Sequence, residues 1–186
     1  MYYVPYMYSN PCAQYMPATN YYGGQPAYWP YPYNGGQVRP SDYLPTKANG
    51  PVALKDYGEQ PFVVNIEQAT KQNETFRTAL WTGKNLQVTL MSIAVGDDIG
   101  LELHPDVDQF LRVEQGQGLV QMGDRRDQLN YQANVGTDYA IMVPAGKWHN
   151  VINTGNTPLK LYSIYAPPEH PFGTVHQTKA DAMASE

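Results

Sequence analysis

Two stretches decide the fold: GLELHPDVDQFLRVEQGQG at residues 100–118 and VPAGKWHNVINTGN at residues 143–156. In the first, a histidine and an acidic residue stand two apart, His104 and Asp106, separated by Pro105. On an extended strand, positions i and i+2 point to one face, about 6–7 Å apart along the chain. A nitrogen donor and a carboxylate converging in this way make a pincer for a divalent cation. Gln109 follows three residues later and reaches the same face only if a bulge or tight turn intervenes. From Gln109 to Val113 the run alternates, with Gln109, Leu111 and Val113 sharing a side. In the second stretch, Pro144-Ala145-Gly146 forms a turn able to swing His149 back toward the first strand. Asp108 reads as a turn residue, or as the carboxylate of the pincer if the register slips by two.

Short β-rich runs extend outward from these two stretches. The pattern predicts strands at about Arg77–Trp81, Leu86–Val95, Gly100–His104, Gln109–Glu114, Gly118–Met122, Tyr139–Val143, Trp148–Asn153 and Leu159–Ala166. Between them lie breaks with turn chemistry, such as Gly96-Asp97-Asp98, Gly123-Asp124 and Thr154-Gly155-Asn156. Many short strands about ten residues apart predict an all-β sandwich or closed barrel. The helix signal is confined to Ile66 to about Lys71, capped by Asn65, and to a frayed helix in the last eight residues.

Gly100, His104, Asp106, Gln109 and Gly116 resemble the first motif of the cupins, which reads Gly, His-x-His, Glu, Gly. Gly136, Pro144, Gly146, His149 and Asn153 resemble the second, whose core Pro-x-Gly-x-x-His-x-x-x-Asn is met at every position. The similarity covers residues 77–167. It implies a double-stranded β-helix, the small jelly-roll barrel of six to eight strands, and cupins commonly dimerise through their sheet edges. It also implies metal ligands at His104, Gln109 and His149, and it puts Asp106 where the family usually has its second histidine. The ion would be divalent: Fe, Mn, Zn or Ni. Two readings stay open at this point. Metal binding has been lost and the barrel is a scaffold, or the ligand set has been retuned. In the second case His104, Asp106 and His149 form a two-histidine, one-carboxylate set, and Gln109 is a fourth ligand or a hydrogen-bonding neighbour. That set also resembles the iron triad of 2-oxoglutarate oxygenases, for whose basic cosubstrate anchor Lys160 is the nearby candidate. Proteins of this pattern are often labelled mannose-6-phosphate isomerase-like, a label that rests on the fold and not on a site. The expected function is a metal-binding cupin that binds or transforms a small polar ligand in its pocket. If it is an enzyme, it is a metal-dependent oxygenase or an isomerase-like cupin.

Residues 1–57 differ in character from residues 58–186, the expected cupin domain with its core at 77–167. The first 51 residues hold 11 of the 16 tyrosines and 9 of the 16 prolines, with only Arg39, Asp42 and Lys47 charged. Proline at that density forbids helix and ladder pairing, and few aliphatic side chains are present to bury. A largely disordered tail is expected, sticky through its aromatic rings. It resembles the low-complexity extensions of spore-coat and matrix proteins, and this supplies a second expectation: an assembly protein with the barrel as node and the tail for self-association.

The net charge of −5 removes the electrostatic case for nucleic acid or an anionic membrane as partner. A single cysteine, Cys12, excludes an intramolecular disulfide and a cysteine-based zinc site. No run approaches the length of a membrane span, and the first residues lack the pattern of a secretory signal. A cytoplasmic location is the default expectation, with the spore coat as the alternative. Gly116-x-Gly118 lacks a following helix, so no nucleotide loop is expected. His170 and His176, in the Pro-rich run after the last strand, are candidates to line the pocket mouth.

Overall fold

The computed structural model describes residues 50–185. The tail expected at the N-terminus therefore lies outside the described residues up to position 49. Nine strands and two short helices follow: α1 (Ile66–Gln72), β1 (Arg77–Thr82), β2 (Gln87–Ile93), β3 (Asp108–Gln115), β4 (Gln117–Gly123), β5 (Tyr131–Gly136), β6 (Ala140–Val143), β7 (Trp148–Asn153), β8 (Leu159–Ala166), β9 (Val175–His176) and α2 (Lys179–Met183). A six-stranded sheet of order β6-β3-β8-β2-β1-β9 faces a three-stranded sheet of order β5-β4-β7. Every ladder within them is antiparallel. This is the double-stranded β-helix that the motif resemblance implied, and it agrees with the sandwich or barrel that the strand pattern predicted.

Alternation along the strands divides the barrel interior into a dry end and a polar end. Across the larger sheet, Val113, Leu161 and Met91 stand in one row. They join Ile93, Val120, Val151 and Leu159 in the main apolar core. Each fully buried side chain of this size contributes about 1.5–3 kcal/mol of transfer free energy. Four residues along the ladder, the row becomes Gln109, Tyr165 and Gln87, all essentially inaccessible to water. Thr89 and Ser163 lie between the two rows and are also buried. Burying so many polar groups is unfavourable unless they are partnered, so this end is where a site is expected.

Helix α1 begins where Asn65 accepts a hydrogen bond from the Gln68 amide at 3.0 Å. Lys71 and Glu67 add an i,i+4 pair on its exposed face. The helix belongs to a second apolar cluster around Ala69, Leu80 and Leu90, on the outer face of the larger sheet. Val52, Leu54 and Tyr57 pack against that cluster, so ordered packing begins inside the stretch read as tail.

Two differences from the expected strands have plain causes. β5 is missing from the expected strands because three of its six residues are exposed and two are half-buried, leaving only Val135 buried as a signal. The strand expected at Gly100–His104 is reduced to an isolated bridge between Glu102 and His149. Pro105 lacks the N–H that a ladder requires, and the chain bends at Pro105-Asp106 before β3 starts.

Candidate metal centre

Three backbone connections assemble the site. Glu102 and His149 exchange both backbone hydrogen bonds, at 3.1 and 3.0 Å, which sets their side chains next to each other. Gly146 has φ +76°, and its N–H donates to the His104 carbonyl at 2.8 Å, tying the Pro-Ala-Gly turn to the first motif. The same turn is held from the other side, where Asp108 accepts from the Ala145 amide at 2.9 Å. Asp108 is thus the first residue of β3 rather than a turn residue, and its carboxylate faces solvent and holds the neighbouring turn.

Glu102 Oε1 lies 3.3 Å from His149 Nε2 and 3.5 Å from His104 Nε2. One ligand atom from each of these residues falls within 4.8 Å of the others. All three atoms are buried and lack a hydrogen-bond partner. Leaving a buried donor or acceptor unmade costs about 1–3 kcal/mol, more for a charged group, and three at one point need a common explanation. A cation shared by all three would provide it. The other ring nitrogens are already committed: His149 Nδ1 lies 3.0 Å from the Lys147 carbonyl and His104 Nδ1 lies 3.1 Å from Glu169 Oε1. A carbonyl or carboxylate there accepts from Nδ1–H, so in the neutral ring each Nε2 has its lone pair free to face an ion beside Glu102. Tautomer, burial and convergence thus fit a divalent ion on two imidazoles and one carboxylate.

The same contacts set the charges of the group in the absence of an ion. Burial pushes the Glu102 carboxyl up, but His104, His149 and Arg77 together outweigh it and hold it at about 2, so it is an anion. Burial pushes His104 down, and the carboxylates of Glu102 and Glu169 more than reverse this. His170, beyond Tyr165, is lowered to about 3 by burial first and the Arg77 charge second, which keeps it neutral. Its ring packs edge-on against Tyr165, which in turn packs edge-on against His104. Gln87 fixes the His170 backbone at both ends, donating to its carbonyl at 2.8 Å and accepting from its amide at 2.9 Å.

Of the four residues carried over from the motif, the structure brings His104 and His149 together. Gln109 lies inside the barrel, its amide donating to Ser163 Oγ at 3.0 Å while its Oε1 has no partner. Asp106 is turned out to solvent by the bend at Pro105 and stands apart from the group. Glu102 fills the place given to Asp106. The signal for it was present, because Glu102 stands two residues before His104 just as Asp106 stands two after. Read from Gly96 instead of Gly100, the motif's His-x-His falls on Glu102-x-His104. Lys160 is spent elsewhere, on Glu74 at 2.6 Å and the Lys71 carbonyl at 2.7 Å. The buried cation at the site is Arg77, which no motif announced, 3.8 Å from Glu102 Oε2.

Comparison with known proteins agrees with the fold. The family described as Cupin domain matches residues 89–165. The Bacillus subtilis protein YrkC is 62% identical over 187 residues, covering 100% of both chains. Protein L612 of Acanthamoeba polyphaga mimivirus is 38% identical over 117 residues, 62% of this chain and 71% of its own. Among solved structures, BH2720 from Bacillus halodurans is 72% identical with a TM-score of 0.69, covering 70% of this chain and 98% of that one. With its barrel, its second motif and these relatives together, the chain belongs to the cupin family.

Proposed function

We propose that this cupin holds one divalent metal ion on Glu102 Oε1, His104 Nε2 and His149 Nε2, and uses it to bind or transform a small polar ligand. The convergence of three buried, unpartnered donor atoms carries this reading. A three-donor protein set leaves coordination positions for a ligand, and a metal so placed supplies Lewis-acid or oxygen-activating chemistry. A cavity of about 500 Å³ lies against Glu102 and His104, bounded also by Arg77, Trp148, Glu169 and His170. Its size suits a small molecule. Element analysis of protein purified without chelator tests the reading. About one metal per chain is expected, and Glu102→Ala or His149→Ala should remove it. Retention of metal by both variants would end it.

A second reading concerns assembly. Tyr131, Tyr139 and Met142 are more than half exposed and line one apolar hollow of about 630 Å³ at the edge strands β5 and β6. An apolar cluster at two sheet edges favours a homodimer through this face. The match to YrkC over the whole of both chains takes in the Tyr- and Pro-rich first 51 residues, the segment to which this reading gives self-association. Light scattering of the full chain and of a chain lacking residues 1–49 separates the two contributions. A dimer in both, with larger species only in the full chain, is expected. Monomers in both would remove this reading.

A further inference from the structure

Of the three proposed ligands, His149 stands in β7, whereas Glu102 and His104 belong to a segment outside every named strand. Along one edge that segment is tied to β7 by scattered backbone bonds. The Asp97 carbonyl accepts from Asn153 at 2.8 Å, Ile99 donates to the Val151 carbonyl at 3.1 Å, and Glu102 exchanges bonds with His149. A ligand held this way depends on whatever else steadies its backbone.

Helix α2 meets the same segment at its start. Lys179 Nζ donates to Asp97 Oδ1 at 2.8 Å and to Asp98 Oδ1 at 2.6 Å. Those two oxygens also shape the turn. Asp97 Oδ1 accepts from the Asp98 amide at 2.8 Å, and Asp98 Oδ1 accepts from the Gly100 amide at 2.6 Å. Gly100 has φ +95°, which glycine adopts at no steric cost, and a Cβ there would lie 2.7 Å from Met183 Cε. The helix is itself fixed, with Ala182 in the main apolar core and a capping box between Thr178 and Asp181. A clamp thus runs from the core, through Lys179, to a turn that ends two residues before Glu102. Lys179 answers an electrostatic need, because two adjacent carboxylates aimed at one turn repel each other and a cation between them replaces repulsion with attraction. The three side chains are 27–41% exposed, so each ion pair by itself adds little to global stability. Their effect falls on geometry, since Oε1 of Glu102 has to stay between two imidazoles.

Resting on the metal reading above, we propose that Lys179 is a positioning residue of the metal centre. By bridging Asp97 and Asp98 it fixes the turn ahead of Glu102, and so strengthens the hold on the ion without touching it. The C-terminal helix is then a working part of the centre.

The test measures the Zn²⁺ affinity of the full chain by competition with a chromophoric chelator, and the thermal midpoint of each metal-free variant. Lys179→Met keeps the stem and removes the charge, whereas Lys179→Arg keeps a cation. Lys179→Met is expected to bind zinc about fivefold more weakly, the scale of two half-exposed ion pairs, with little change in the metal-free midpoint. Lys179→Arg should recover most of that loss. Asp97→Asn with Asp98→Asn removes the charges that Lys179 serves while leaving an oxygen for each amide. In that background Lys179→Met should cost no further zinc affinity. Wild-type affinity in Lys179→Met overturns the positioning role while leaving the metal reading intact. So does a loss that Lys179→Arg fails to recover, or one that persists undiminished in the doubly substituted background. A wild type that takes up no zinc overturns both.

Discussion

Replacing Glu169 by alanine removes the carboxylate that accepts from Nδ1–H of His104 without touching any of the three proposed ligand atoms. The Nδ1–Oε1 distance is 3.1 Å, and the Glu169 side chain is 30% exposed against 8% for His104. Carboxylates behind a ligating histidine fix its tautomer and raise its basicity, and their loss typically weakens metal binding 10–100-fold. With its side chain 30% exposed, Glu169 is screened by water, so the low end applies: about tenfold, or roughly 1.4 kcal/mol. Glu169→Gln keeps an oxygen that accepts from Nδ1 and should fall between alanine and wild type. The assay is competition for Zn²⁺ against a chromophoric chelator, run beside His149→Ala, which loses a direct donor and should suffer more. The thermal midpoint of each metal-free variant controls for folding, and an exposed Glu should shift it little. Wild-type affinity in Glu169→Ala would refute the coupling, and a loss equal to that of His149→Ala would mean that Glu169 is itself a ligand.

Asp106→Ala should leave the metal content unchanged by element analysis, with stability altered by no more than about 0.5 kcal/mol, because the residue faces solvent. Gly116→Ala should lower the thermal midpoint by roughly 5 °C or more, since φ is +94° and the added Cβ would meet Leu159 Cα and the Pro158 oxygen at 3.0 Å. In chelated protein, His170 has a depressed pKa, from 6.5 to about 3, so its contribution is complete above 6.5 and is lost as pH falls toward 3. By about pH 4.5 wild type should therefore have lost roughly 2–3 kcal/mol more than His170→Gln in urea unfolding, and parallel acid profiles would contradict this.

The fold was legible because its signals are local. Pro144-Ala145-Gly146 and His149 name a turn and a strand, and β7 occupies the residues expected of it. Asn153 shows why the second motif reads so clearly: its amide donates to the carbonyls of Ile93 and Thr157 at 3.0 and 2.9 Å, so its identity is a packing requirement. The site was legible only in part because the i, i+2 rule is symmetric about His104. Only the bend at Pro105, and the backbone pairing of Glu102 with His149, choose the acidic residue on the N-terminal side. Arg77 gave no signal at all. An arginine at the start of a strand reads as an exposed charge, whereas Arg77 is fully buried, with Glu102 beside it and β9 paired laterally to β1 some hundred residues later in the chain. β5 was lost for the opposite reason, since an edge strand with one buried residue lacks the alternation that betrays the others.

The most direct test of the central claim is anomalous diffraction at the metal edge from crystals of the full chain grown with Zn²⁺ or the natively bound ion. The account predicts one strong peak per chain, within coordination distance, about 2.0–2.2 Å, of Glu102 Oε1, His104 Nε2 and His149 Nε2. A peak on Asp106 instead, or no peak at the three donors under saturating metal, would contradict it.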